Sequence, residues 1–277
     1  MYTDPRRAKA FSGRLLRWYD RNGRDLPWRR TRDPYAVLVS EVMLQQTQVA
    51  RVLPAYASFL KRFPTLRVLA RAPLGDVLRA WRGLGYNRRA RDLHRSARAC
   101  PDRLPADAAS LDLLPGVGAY TAAAVACFAN GERLAFADTN IRRVLGRVML
   151  GRAATQREAI AIDGGLLPRD AARWHHALMD LGATICRSRA PRCDSCPVAV
   201  TCRGRGRVSA EPRRRQSPFA ASDRRVRGQI LDQLREKTST IVRLRREIGD
   251  ARVDRLLGDL ANEGLVEIRG TRCALPS

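Results

Sequence analysis

Along most of the chain apolar residues recur every three to four positions, and the stretches with this period are bounded by Gly, Pro, Asn and Asp. That pattern marks amphipathic helices closed by caps and breakers. "FSGRLLRWYDRNG" is the first, stopping at Gly23, and "DPYAVLVSEVMLQQTQVARVLPAYASFLKRF" gives a buried helix and another after Pro54. "LGDVLRAWRGLG", "NRRARDLHRSARAC", "AASLDLL", "AYTAAAVACFANG", "NIRRVLGRVML", "QREAIAIDGGLL" and "PRDAARWHHALMDLGATIC" continue the series. No alternating strand pattern interrupts it before residue 202, so residues 1–202 are expected to form one mainly α domain. Residues 203–222, "RGRGRVSAEPRRRQSPFAAS", have no period and read as a linker. Beyond it "RRVRGQILDQLRE", "TIVRLRREIG" and "RVDRLLGDLANEG" are three amphipathic helices, and "LVEIRGTRCALP" is a hairpin turning at Arg269-Gly270-Thr271. Three helices and a hairpin over 223–277 predict a winged-helix-like domain of the helix-turn-helix kind, with a packing role as the alternative.

Charge then narrows the partners. The 277 residues hold 52 Lys+Arg against 27 Asp+Glu, a formal net charge of +25 carried almost entirely by Arg. Such a balance points to a polyanion such as nucleic acid, although a GC-rich genome also enriches Arg. There is no apolar stretch of membrane-spanning length, and the start "MYTDPRRAKAF" lacks the apolar core of a secretory signal. A cytoplasmic, nucleoid-associated protein without membrane contact is expected, and the seven cysteines then need a reading other than disulfides. Cys100, Cys127 and Cys273 are scattered and read as small buried hydrophobes or idle thiols. Cys186, Cys193, Cys196 and Cys202 follow C-x6-C-x2-C-x5-C within 17 residues, which is metal-ligand crowding. Four thiolates suit tetrahedral zinc or a [4Fe–4S] cluster, and spacing does not choose between them. Arg187, Arg189 and Arg192 in the same loop are positioned to meet phosphate while the metal fixes the loop's shape.

The turn Leu114-Pro115-Gly116-Val117-Gly118 lies between two helices. It lacks the preceding strand, third glycine and lysine of nucleotide-binding loops, which excludes both cofactor readings. A helix-hairpin-helix remains, whose Gly116, Val117 and Gly118 bring backbone N–H groups to a DNA phosphate at a helix start; a plain interhelical turn is the bland alternative. Farther on, "FADTNIRRV" sets Asp138 just before a helix bearing Arg142 and Arg143, where the helix dipole is expected to keep the carboxylate ionised, with or without any chemistry. Glu41 in "LVSEVMLQQT" is a lone carboxylate in an apolar helix, where burial favours the protonated form.

Together the "LPGVG" hairpin, the Asp in "ADTN" and the four-cysteine loop resemble the endonuclease III superfamily of base-excision DNA glycosylases. "LPWRRTRDPYAVLVSEVMLQQTQVARVLPAY", "GLGYNRRARDLH" and "ALMDLGATICRSRAPRC" resemble MutY-type adenine glycosylases, over about residues 11–202. The resemblance implies a bilobal helix-hairpin-helix fold with the DNA groove between lobes, and a [4Fe–4S] cluster on Cys186, Cys193, Cys196 and Cys202 in a loop spanning 186–202. It further implies excision of adenine opposite 8-oxoguanine or guanine. The tail resembles a short actinobacterial form rather than a Nudix-like domain.

Chemistry follows from the reaction. Adenine leaves its sugar only once its ring is protonated, so Glu41 is the expected acid, while Asp138 stabilises the oxocarbenium-like sugar or bonds to it transiently, with Tyr120 and Asn140 holding Asp138 and the water. In bifunctional relatives a lysine stands where Tyr120 stands, so a monofunctional enzyme is expected. By resemblance Gln46 plugs the vacancy left by the flipped base, and Arg24, Leu26, Trp28 and Arg29 wall the adenine pocket. Tyr86, Asn87, Arg88 and Arg142 join the DNA contacts. Two positions depart from the pattern. Asn87 stands where many relatives have a second Tyr wedge, and His176 stands where they carry Glu or Gln at the base edge, either reading the base while titrating near pH 6.5 or facing solvent. A glycosylase for hypoxanthine, or for T or U opposite G, and a noncatalytic iron–sulfur DNA-binding regulator remain as alternatives. Mismatched double-stranded DNA is the expected partner, met by a monomer.

Overall fold

The computed structural model describes residues 4–206 and 218–277. Its helices are α1 (Pro5–Asn22), α2 (Pro34–Leu44), α3 (Val49–Arg62), α4 (Leu66–Arg71), α5 (Leu74–Ala80), α6 (Arg88–Ala99) and α7 (Ala108–Asp112). They continue with α8 (Ala119–Asn130), α9 (Thr139–Leu145), α10 (Gln156–Leu166), α11 (Ala171–Thr184), α12 (Asp223–Glu236), α13 (Ile241–Ile248) and α14 (Val253–Asn262). Local chemistry sets the ends: Asp4 caps α1 ahead of Pro5, Thr155 and Glu158 form a capping box on α10, and Gly131 closes α8 in the left-handed region. Pro54 does not start a new helix. It lies inside α3, whose buried face of Val52, Tyr56 and Phe59 runs straight past it, so packing outweighs the one lost backbone bond. The six-residue α4, capped by Thr65, is too short for its period to stand out.

Two compact units form. The first comprises Met1–Val37, Ala106–Asp112 and Gly118–Arg213. Its core is built from α1, α8, α9 and α11 around Phe11, Leu15, Val144, Leu145, Trp174 and Leu178, with the rings of Phe11 and Trp174 edge to face at 5.7 Å. A carboxylate, Asp163, sits in this core. Asp163 accepts from Trp174 Nε1 at 2.7 Å, His175 Nε2 at 2.8 Å and the Phe136 amide at 3.1 Å, which offsets its desolvation.

The second unit comprises Leu38–Pro105, Leu113–Val117 and Arg214–Ser277. Here α4 and α5 pack on α6, and Phe59 meets Trp81 edge to face at 5.8 Å. The C-terminal residues belong to this unit. There α12, α13 and α14 enclose Val226, Ile230, Leu244, Leu256 and Leu260. Three short strands complete them: β1 (Ser239–Thr240), β2 (Glu267–Arg269) and β3 (Arg272–Ala274), antiparallel in the order β1-β3-β2. Arg269 pairs with Arg272, so the hairpin turns on Gly270 and Thr271, and β1 is an added strand that two residues of sequence do not announce. Of the expected linker, 207–217 lie outside the described residues, and Phe219–Ala221 forms a 3-10 turn before α12. Among the described residues no helix is long and apolar enough to cross a membrane.

Candidate active site

In the first unit Asp138 is the N-cap of α9. Its Oδ1 accepts from the Ile141 amide at 2.7 Å and its Oδ2 from Asn140 Nδ2 at 2.8 Å. The expectation of a plain dipole-stabilised carboxylate needs correction. Burial raises the Asp138 pKa above the usual carboxylate range, because it outweighs the hydrogen bonds from Ile141 and Asn140 and the charge of Arg143. Asn140 is itself fixed: its Oδ1 accepts from Arg143 Nη2 at 2.6 Å, and Arg143 also donates to the Gly182 carbonyl at 2.8 Å and the Cys186 carbonyl at 2.7 Å. One buried guanidinium thus joins the side chain that holds Asp138 to the first cysteine of the four-cysteine loop. A Cβ on Gly182 would stand 2.7 Å from Asn140 Cβ, so only glycine lets α11 come this close. Tyr120, on α8, sits edge to face on Phe136 at 5.7 Å. Arg142 spends one guanidinium bond on the Ala154 carbonyl at 3.1 Å.

Arg24 and Arg29 converge on a residue that sequence reasoning missed. Asp180, fully buried on α11, accepts from Arg24 Nε at 2.7 Å, the Arg24 amide at 2.8 Å, and Arg29 in a two-pronged pair at 2.8 Å each. Burial opposes its ionisation, but Arg29 and Arg24 win and hold the carboxyl below the usual range. The signal was present: "ALMDLGA" sets one carboxylate in an apolar helix, as "LVSEVML" does for Glu41. Leu26 and Trp28 are buried beside this pair in sequence, on the 3-10 turn Pro27–Arg29. His176 does not titrate near 6.5. Its ring stacks on Phe128 with centroids 4.3 Å apart, and burial, followed by the charge of Arg29, pushes its pKa down to about 3.

The second unit carries the remaining candidates except Gly118 and the four cysteines. Glu41 is buried on α2 between Ser40 and Val42. Gln46 and Tyr86, both exposed, are non-glycine residues in the left-handed region, at φ 57° and 48°. Arg89 holds both turns. Its guanidinium lies over the Trp81 and Tyr86 rings at 5.5 Å each and donates to the carbonyls of Val42 and Met43 at 2.8 and 2.9 Å, of Leu84 and Gly85 at 3.1 Å each, and of Gln45. Burial lowers its pKa to about 10, which leaves it charged. Arg88 pairs with Glu263 at 2.6 Å, and Asn87 Oδ1 accepts from Arg235 at 2.8 Å. At the hairpin Gly116 has φ 73°, and a Cβ there would meet Asp92 Cβ at 2.6 Å, so glycine is required twice over. Val117 closes the turn onto the Leu114 carbonyl at 3.1 Å, and Gly118 caps α8.

The four cysteines line one cavity with Arg147, Leu181, Ile185 and Val198. Among the described residues no three His, Cys, Asp or Glu side chains converge as the ligands of a single ion do. Amides of Val198 and Gly204 face the sulfurs of Cys196 and Cys202. Arg147 Nη1 approaches Cys186 Sγ at 3.6 Å and donates to the Arg187 carbonyl at 2.6 Å. Arg147 belongs to a π-helical turn, Gly146–Leu150, that follows α9. Such a turn releases carbonyls from the helical ladder. The Arg203 and Gly204 amides take those of Val148 and Arg147 at 3.1 and 3.0 Å, so one turn holds both ends of the cysteine loop.

The chain matches the family model of the HhH-GPD superfamily of base excision DNA repair proteins over residues 39–164. It is 44% identical over 268 residues to an adenine DNA glycosylase of Mycolicibacterium smegmatis, covering 91% of each chain. The chain belongs to the adenine DNA glycosylase family. A Mycobacterium tuberculosis member is 43% identical over 91% of this chain and 88% of its own, and the human member is 44% identical over 76% of this chain and 42% of its own. Among solved structures a thermostable thymine-DNA glycosylase aligns with TM-score 0.67 and 30% identity, over 72% of this chain and 96% of that one. Endonuclease III in a trapped covalent complex with DNA aligns with TM-score 0.64 at 24% identity, over 73% of this chain and 97% of its own, a likeness of fold. Family and fold agree with the mainly helical body read from the pattern of apolar residues and with the helix-hairpin-helix fold implied by the resemblance.

Proposed function

We propose that this chain hydrolyses the N-glycosidic bond of adenine in duplex DNA, opposite 8-oxoguanine or guanine, and leaves an abasic site. The observation that carries this reading is Asp138 fixed at the start of α9 by Ile141 and Asn140, whose N–H donors favour the charged form of a carboxyl that burial otherwise opposes and so suit it to positive charge developing on a sugar. Glu41, buried in an apolar helix, protonates the leaving base; once the base has left, it takes the proton of the attacking water. Tyr120, in place of a lysine, offers no amine for a Schiff base, which supports a monofunctional enzyme. Arg24 and Arg29, held by Asp180, and the neutral His176 line the base site, while Gln46 and Tyr86 enter the stack. Gly116, Val117, Gly118, Arg88 and Arg142 contribute the backbone contacts, and the enzyme works as a monomer.

Four thiols around one cavity, with amide and guanidinium donors aimed at their sulfurs, fit a [4Fe–4S] cluster held by Cys186, Cys193, Cys196 and Cys202. When bound, the cluster is a rigid anionic anchor for the loop.

A second reading has one observation in its favour: His176 is a neutral ring stacked on Phe128, and such an edge also suits hypoxanthine, thymine or uracil. Single-turnover cleavage of duplexes holding A, hypoxanthine, T or U opposite 8-oxoguanine or guanine, developed with alkali, separates the two. Alkali-dependent cleavage at A is expected, and Asp138→Asn should abolish it, on the order of a hundredfold or more, with duplex affinity retained. Cleavage confined to the other bases would sustain the second reading instead.

A further inference from the structure

The C-terminal helices and strands, α12–α14 with β1–β3, pair many of their arginines with carboxylates of the same segment. On α14, the position of the groove-reading helix in helix-turn-helix proteins, Arg255 pairs with Asp223 at 2.8 Å and Asp259 at 3.3 Å, and Asp254 takes Arg245 at 2.6 Å. The segment's outward bonds run instead to α5, α6 and the corner between them, all within the second unit. Glu263 accepts from Arg88 at 2.6 Å. Arg79 donates to the Arg235 carbonyl at 3.1 Å, Arg82 pairs with Glu236, and Gly75 donates to the Pro276 carbonyl at 2.7 Å.

One of these bonds is buried and reaches the candidate DNA contacts. Arg235, at the end of α12 and only 9% exposed, donates from Nε to the Leu78 carbonyl at 3.0 Å, from Nη2 to Asn87 Oδ1 at 2.8 Å, and from Nη1 to Asp232 at 2.6 Å. Each of its three nitrogens has an acceptor, which offsets the cost of taking a guanidinium out of water. Asn87 directly follows Tyr86, a residue 46% exposed on a backbone at φ 48°. A tyrosine there persists only where its surroundings over-determine it. Arg89 secures the corner from one side, through the Leu84 and Gly85 carbonyls and the face of the ring. Arg235 secures it from the other.

We propose that the C-terminal segment of α12–α14 and its three strands is a clamp on the Gly83–Asn87 corner, with Arg235 a positioning residue that acts through Asn87 to hold Tyr86 where its ring stacks on a base of the bound duplex. This rests on the DNA-glycosylase reading above. The fork of an arginine is needed, because one ammonium does not span the Leu78 carbonyl and the Asn87 amide with the same planar geometry. An exposed aromatic ring is a general stacking platform for an unpaired base.

The test uses the full chain and a duplex with 2-aminopurine beside the mismatch, whose fluorescence reports stacking. Arg235→Met and Asn87→Ala should each cut the fluorescence change on binding severalfold and slow single-turnover excision about tenfold, and the double variant should be no worse than either single. Arg235→Lys should fall with Arg235→Met, not with wild type. Gly75→Ala, whose Cβ would press on the Pro276 carbonyl at 2.8 Å, should lower Tm while leaving the fluorescence change intact. Additive effects of Arg235→Met and Asn87→Ala, or a lower Tm with unchanged fluorescence and rate, would overturn the clamp. Should Arg235→Met fail to fold, Asn87→Ala with Arg235→Lys decides on the same criteria. Wild-type protein that cleaves none of the bases, yet shows the coupled fluorescence losses, would end the activity reading and leave the clamp standing.

Discussion

His176 lies face to face with Phe128, in a site where burial and the nearby Arg29 charge disfavour a proton and set its pKa at about 3. In the unfolded chain the same ring titrates near the ordinary histidine value of 6.5. Between those values the unfolded state binds more protons, so His176 makes the fold lose stability as pH falls through 6.5 toward 3, by up to about 1.4 kcal/mol per pH unit. His176→Gln removes that dependence. The drop in Tm from pH 7 to pH 5 should therefore be smaller in the variant than in wild type. Glu41 and Asp138 stand out as candidates because a carboxylate in an apolar run or before a helix is conspicuous in one dimension. Asp180 carries the same mark in "ALMDLGA", but what it and Asp163 hold depends on partners far along the chain: Arg24 and Arg29 for Asp180, Phe136 and His175 for Asp163.

The contact between α9 and α11 carries the next expectation. Gly182 on α11 faces Asn140 with no room for a methyl group, so Gly182→Ala must push Asn140, and with it the carboxyl it steadies, out of place. Overpacking of this kind costs about 1–3 kcal/mol. A lowered Tm should come with a single-turnover rate at least about tenfold below wild type, and a rate equal to wild type would mean that Asn140 does not steer Asp138. Long amphipathic helices were readable throughout. What escaped was short or non-periodic: α4, the two-residue β1, the continuity of α3 through Pro54, and the π-helical turn inside "NIRRVLGRVML". Each depends on packing or backbone bonding that leaves no periodic trace.

Over the entire chain the excess of 25 positive charges is arranged rather than spread. Many arginines are consumed in internal pairs, the tail's above all, while Arg187, Arg189 and Arg192 ride on the cysteine loop. If the loop's shape depends on its cluster, Cys193→Ser should lose the absorbance near 400 nm typical of such clusters and weaken duplex binding. It should also slow excision, because Arg143 links the Cys186 carbonyl to Asn140. Retained absorbance and affinity would remove the loop from the DNA interface. Composition made the polyanion partner legible; the internal pairing of the tail was not, because opposite charges close in space are scattered in sequence.

The π-helical turn at Gly146–Leu150 also has an evolutionary reading. It amounts to one residue more than an α-helix needs at that point. Deleting a residue there would restore the ordinary ladder, turn everything beyond it by about 100°, and carry Arg147 away from Cys186 along with the carbonyls that receive Arg203 and Gly204. A cysteine loop held in this way needs the surplus residue, and a chain without the loop does not, so loop and extra residue should be kept or lost together.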